Sequence, residues 1–145
     1  MIISINYERN INMGKATFTY EESGYFLRVK LKGDIDHHSA VAVRSGIDTL
    51  LYRIRPRRVY LDLSGVDFMD SSGLGLIMGR YALAKEIGGD LVVTEPTPGV
   101  ERVLRLAGLE RVVRIERKAT SKPTQSATPM QDKPRARKTR KEVLK

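Results

Sequence analysis

The segment Phe68-Met69-Asp70-Ser71-Ser72-Gly73-Leu74-Gly75 concentrates the residue types that can do chemistry in this chain. Short hydroxyl and carboxylate side chains just ahead of an apolar helical stretch supply acceptors for the N–H groups that a helix start leaves unpaired. Ser71 in the cap position accepts from the N–H of Gly73 or Leu74. Gly73 and Gly75 remove side chains from the first turn, so another surface can approach it closely. The outcome is a serine hydroxyl at the positive end of a helix, where an anionic group is favoured. A plain, well-capped strand-to-helix turn uses the same residues, and such caps are common. Gly75 and Gly79, four apart on one helix face, suit close packing on a sheet or on a partner.

The only histidines are His37 and His38. Adjacent histidines point in different directions on most backbones, and Asp36 alone does not complete a metal site. Asp36, His37 and His38 therefore read as capping and interface residues, with no metal. No G-x-S-x-G elbow occurs, the third glycine of a dinucleotide fingerprint is missing, and no P-loop G-K-[ST] follows Gly75. With no base, nucleophile pair or cofactor motif, the chain reads as a binding module with no catalytic centre and no cofactor.

The elements that must position these residues follow from periodicity. Thr17–Tyr20 and Tyr25–Lys32 flank a turn at 21–24. In the second run Leu27, Val29 and Leu31 alternate with Arg28, Lys30 and Lys32, the pattern of an antiparallel hairpin with one wet face. Gly33-Asp34-Ile35-Asp36 leads out of it. A helix is expected from about Ser39 to Ile54, with Val43, Ile47, Leu50 and Leu51 on one face, Ser39 or Asp36 as its cap, and Pro56 as its stop. Val59–Leu63 is a strand. The second helix runs from about Ser72 to Ile87 and ends at Gly88-Gly89. Leu91–Thr94 is a buried strand. Thr97-Pro98 opens a third helix whose Val100, Val103, Leu104 and Ala107 face inward. Val112–Ile115 is a last strand. The order β-β-α-β-α-β-α-β implies an α/β fold with a mixed, mostly parallel sheet and helices packed against it.

Bulk composition narrows the function. The 145 residues contain no cysteine, which excludes disulfides, thiolate metal sites and a cysteine nucleophile and suits a reducing cytoplasm. No apolar run approaches the roughly 20 residues that span a bilayer, so no membrane insertion is expected. The net charge of +9 is unevenly spread. From Arg117 to Lys145 there are ten Lys or Arg and two acids, so the first 116 residues carry only +1. Residues 117–145 lack aromatic side chains and are expected to form a disordered basic tail after a globular domain at 15–116. The run Lys133–Lys141 can attract nucleic acid or an anionic surface, without a stacking platform. Residues 1–14 are a leader or an extra strand, and Met13 is an alternative start to Met1. One core accounts for the apolar periodicity, which points to a monomer.

Several motifs in order resemble one family. Phe68–Gly75, Gly79-Arg80-Tyr81, Ile87-Gly88-Gly89 and Gly33-Asp34-Ile35-Asp36-His37-His38 are similar to the anti-sigma factor antagonists of the STAS fold, over roughly Thr17 to Ile115. The resemblance implies that Ser71 is the phosphoacceptor. It further implies an anti-sigma factor with serine kinase activity that binds the unphosphorylated form and so releases a sigma factor, and a phosphoserine phosphatase that resets the switch. The implied partner surface is Gly33, Asp34, Asp36, His37 and His38 with Asp70, Ser71, Ser72, Gly73, Leu74 and Gly75. The Gly33–His38 and second-helix matches favour sporulation control. A general-stress antagonist, another signalling or scaffold subunit, and a basic-tailed nucleic-acid or membrane-surface binder are the alternatives. The basic tail departs from the family pattern, which ends soon after the last helix or strand.

Overall fold

A computed structural model describes residues 9, 10 and 16–117 of the chain. Six strands form one sheet in chain order. β1 (Arg9–Asn10), β2 (Ala16–Ser23) and β3 (Phe26–Ile35) are antiparallel neighbours. β4 (Arg58–Met69), β5 (Asp90–Thr94) and β6 (Arg114–Glu116) continue from β3 in parallel. The crossovers are made by α1 (His37–Ile54), α2 (Ser71–Glu86) and α3 (Pro98–Leu106). Each parallel strand is added on the same side of the one before it, and such crossovers are right-handed. All three helices therefore lie on one face of the sheet.

Alternation along the strands sets the two faces. Leu27 and Val29 sit beside Val59 and Leu61, which sit beside Leu91 and Val93, all buried under the helices. Val43, Ile47 and Leu51 of α1, Ile77 of α2 and Leu104 of α3 complete this single core. The opposite face carries Arg28 and Lys30 beside Tyr60 and Asp62. The expected mixed sheet, hairpin and three packed helices are all present. Of residues 1–14, expected as a leader or an extra strand, only Arg9–Asn10 are described, paired with β2. The expected tail at 117–145 lies, from residue 118 on, outside the described residues.

The differences have local causes. α1 begins two residues before Ser39 because Asp36 is the cap. Its carboxylate accepts from the Ser39 N–H at 2.9 Å, and the Ser39 hydroxyl accepts from the Asp36 N–H at 3.0 Å, a reciprocal capping box. β4 runs on past Leu63 because β3 lags it at two register shifts. At Gly65, within that irregular stretch, a Cβ would lie 2.8 Å from Lys32 Cγ and 2.9 Å from the Leu31 carbonyl oxygen, so only glycine lets the backbones pass. β6 starts at Arg114 rather than Val112, since a 3-10 turn at Leu109–Arg111 precedes it and Val113 is fully buried. Ala107 caps the end of α3 and is exposed rather than inward-facing.

Candidate functional site

The register of β3 on β4 builds the site. Asp34 pairs with Phe68 and Ile35 with Met69, so the ends of these two parallel strands lie side by side. The Asp70 N–H donates to the Ile35 carbonyl at 3.3 Å. α1 leaves one strand and α2 leaves the next, so the two helix N-termini emerge together. Gly33–His38 and Phe68–Gly75, far apart in sequence, are thereby brought to one corner of the molecule.

At the start of α2 the cap is Asp70, not Ser71. The Asp70 carboxylate accepts from the Ser72 N–H at 2.8 Å, and the Asp70 carbonyl accepts from the Gly73 N–H at 3.0 Å. Ser71 is the first helical residue and is exposed. Its hydroxyl makes no hydrogen bond among the described residues. An aspartate at this position takes over the capping duty and leaves the serine oxygen uncommitted at the positive helix end. Ser72 and Leu74 are half-buried, and Gly75 is exposed.

The two glycines of the turn differ. A Cβ on Gly73 would lie 2.2 Å from Met69 Cγ and 3.2 Å from Ile35 Cγ2, and the residue is buried. Gly73 serves the packing of the helix on the strand ends and is not part of an exposed contact surface, contrary to the sequence-based expectation. A Cβ on Gly75 would meet nothing within 4 Å, so this glycine does keep the surface open. Gly33 adopts a left-handed conformation at φ 98° within the irregular end of β3, which explains its residue type without a partner.

The histidine corner is built the same way. Asp34 is half-buried, and its carbonyl accepts from the Ser39 hydroxyl at 2.9 Å. The hydrogen bond from the Ser39 N–H holds the Asp36 carboxyl below its ordinary value, and His38 acts in the same direction. His37 and His38 are exposed, with their rings edge to face at 5.8 Å. No cluster of three or more His, Asp or Glu suited to a metal is present among the described residues.

Three further features complete the site. Phe68 is 52% exposed beside the Asp70–Ser71 turn, an apolar side chain on the surface. A cleft of about 260 Å³ separates α1 from α2, lined by His37, Ala40, Val41 and Arg44 on one side and Ser72, Gly75 and Leu76 on the other. Below it, the Arg80 guanidinium contacts the Asp48 carboxylate at 2.8 Å and ties α2 to α1. Arg80 is only 7% exposed. Burial pulls its guanidinium below its ordinary value, Asp48 opposes that, and the nearby Arg44 adds to the depression. Sequence reasoning missed Arg44 and Arg80. The signal for Arg80 was present: it occupies the buried stripe of α2 with Leu76, Ile77, Leu83 and Ala84, where a charge demands a partner.

Comparison with known proteins places this geometry. The family model described as the STAS domain matches residues 17–121. An anti-sigma F factor antagonist from Paenibacillus polymyxa is 40% identical over 89 residues, which is 61% of this chain and 76% of that protein. An anti-sigma-B factor antagonist from Bacillus subtilis is 29% identical over 93 residues, covering 64% of this chain and 84% of that protein. Among solved structures, the unphosphorylated form of the anti-sigma factor antagonist SpoIIAA overlays with a TM-score of 0.58 at 22% identity, covering 79% of this chain and 89% of that one. The phosphorylated form of SpoIIAA from Bacillus overlays with a TM-score of 0.54 at 21% identity, covering 79% and 92%. At these identities the two overlays establish the shared fold.

Proposed function

The chain belongs to the STAS domain family, and from that membership we propose that it is a cytoplasmic anti-sigma factor antagonist switched by phosphorylation of Ser71. The observation that carries this reading is the exposed Ser71 hydroxyl, left uncommitted by the Asp70 cap at the first position of α2. In the unphosphorylated state the corner of Asp34, Asp36, His37 and His38 with Ser71, Ser72, Leu74 and Gly75 docks an anti-sigma factor that is a serine kinase, and a sigma factor is released. The Ser71 oxygen then attacks the γ-phosphorus of ATP held by that kinase. Its proton passes to a base of the kinase and ADP leaves. A phosphatase transfers the phosphoryl group to water, releasing inorganic phosphate and restoring the hydroxyl. The chain supplies the accepting hydroxyl and the docking surface, and the partner supplies the catalysis.

The physics of the switch needs no refolding. A phosphoserine adds about −1.5 to −2 charges. The N-terminus of α2 tolerates that charge within the antagonist. The same charge and bulk then occupy the docking surface, where a mismatched charge costs several kcal/mol. SpoIIAA, with the same fold, has been solved in both unphosphorylated and phosphorylated forms, which supports a switch of this kind. The relative named for sigma F and the Gly33–His38 motif favour a sporulation circuit, and the relative named for sigma B marks the general-stress alternative. No helix among the described residues is long and apolar enough to cross a membrane. The proposed active form is a monomer.

The test is mass spectrometry of the chain after co-expression with an anti-sigma kinase from the same genome. One added phosphoryl group at Ser71, absent in Ser71→Ala, is the expected result. Ser71→Ala is expected to bind that kinase and Ser71→Asp to bind poorly. Equal binding by both variants, or modification elsewhere, contradicts the proposal.

A further inference from the structure

We infer that the cleft between α1 and α2 seats the phosphoryl group of phosphorylated Ser71, with Arg44 as its counter-charge and His37 as a further hydrogen-bonding group of the wall. The inference rests on the phosphoswitch reading above and adds where the new charge goes. Ser71 stands one helical turn before Gly75, on the same face of α2. Gly75 lines the cleft and leaves open space where any other residue would place a side chain. A group attached to the Ser71 oxygen therefore sits at the mouth of an already open recess, not against a filled surface.

The far wall carries the matching charge. His37, Ala40, Val41 and Arg44 recur at helical spacing along α1 and face α2. Arg44 makes no ion pair among the described residues. The acid nearest along its helix, Asp48, is already engaged by Arg80 at 2.8 Å. Arg80 thus engages the one carboxylate between α1 and α2, and the charge of Arg44, with no ion pair among the described residues, lies at the cleft. The acids at this end are Asp34, Asp36 and Asp70, with Asp67 exposed further out on β4. Asp36 and Asp70 are hydrogen-bonded to helix N–H groups, so their charge is spent on the two N-termini. Arg44 is then the side chain on this wall placed to answer a phosphate, with the exposed His37 one helical face-repeat away, and a guanidinium is the preferred partner for a phosphate. Seated this way, the phosphoryl group closes the recess to an incoming partner as well as charging its rim.

The experiment uses the full chain with phosphoserine placed at position 71 during translation, so that no kinase is needed. The second ionisation of the phosphate is followed by 31P NMR across pH. Loss of a nearby cation raises a phosphate's pKa, so Arg44→Gln is expected to raise it by roughly half a unit relative to the otherwise unaltered phosphoprotein. Arg44→Lys retains most of the effect, and Lys30→Gln, on the opposite face of the sheet, leaves the titration unchanged. A titration unmoved by Arg44→Gln, or moved equally by Lys30→Gln, overturns the seat while leaving the switch intact. Failure of a kinase to modify Ser71 overturns the switch and does not alter this titration, so the two failures are distinguishable.

Discussion

Ser71 is available because Asp70 is not. The carboxylate of Asp70 closes the helix start, and the adjacent hydroxyl is released to solvent at the end of α2 where negative charge is favoured. The glycines that follow divide their labour, and substitutions should separate the two roles. Gly73→Ala puts a methyl group 2.2 Å from Met69 Cγ and is expected to destabilise the domain by about 1–3 kcal/mol in urea unfolding. Gly75→Ala meets no atom and removes a helix-interior glycine, so it should stabilise the free domain by up to about 1 kcal/mol while weakening partner binding. Asp36 gives a pH signature. Its carboxyl is held below the ordinary 3.8 in the folded chain, chiefly by the Ser39 N–H. Its stabilising contribution is therefore full above that value and is lost as pH falls through the lower folded one. Thermal unfolding of Asp36→Asn against the unaltered chain should show a gap that is present at neutral pH and closes in acid.

At the scale of elements, α1 and α2 are fixed to each other by the apolar core and by one buried ion pair. Asp48→Ala leaves the Arg80 guanidinium buried without its carboxylate and is expected to cost about 2–3 kcal/mol, reduced from the fully buried case because the Asp48 side chain is 30% exposed. Asp48→Leu combined with Arg80→Met should recover most of that loss, since an apolar pair replaces the ionic one. Denaturant unfolding of the three variants measures both effects. The elements themselves were largely legible in the sequence. Leu27, Val29 and Leu31 gave the hairpin by alternation, and Val43, Ile47, Leu50 and Leu51 gave α1 by helical spacing. What stayed hidden depended on contacts between distant segments. β4 extends past Ser64-Gly65 by carrying an extra residue against β3 at each of two register shifts, which no local pattern reports. The candidate site was half legible: Ser71, Asp36 and the histidines stand in recognisable motifs. Arg44 belongs to the cleft only because α1 packs against α2, and Gly73 was misassigned to the surface because its neighbours Ile35 and Met69 lie on two different strands.

For the whole molecule, charge and fold are separated along the chain. The first 116 residues carry +1 of the total +9, and the basic residues gather after Arg117. Attraction to a polyanion should then reside in the tail, and antagonist binding in the domain. A chain ending at Arg117 is expected to keep its affinity for an anti-sigma factor, while any binding to nucleic acid loses its steep dependence on salt. Parallel measurement of both affinities over a range of salt checks this. Retention of salt-dependent nucleic-acid binding by the shortened chain would move that activity onto the domain.

The central claim is that one phosphoryl group on Ser71 decides whether the antagonist docks. The most direct measurement is calorimetric titration of an anti-sigma serine kinase with the unmodified chain and with the chain carrying phosphoserine at 71. The expected result is tight binding by the first and at least about a hundredfold weaker binding by the second, which corresponds to about 2.7 kcal/mol. Equal affinities for the two forms would contradict the claim.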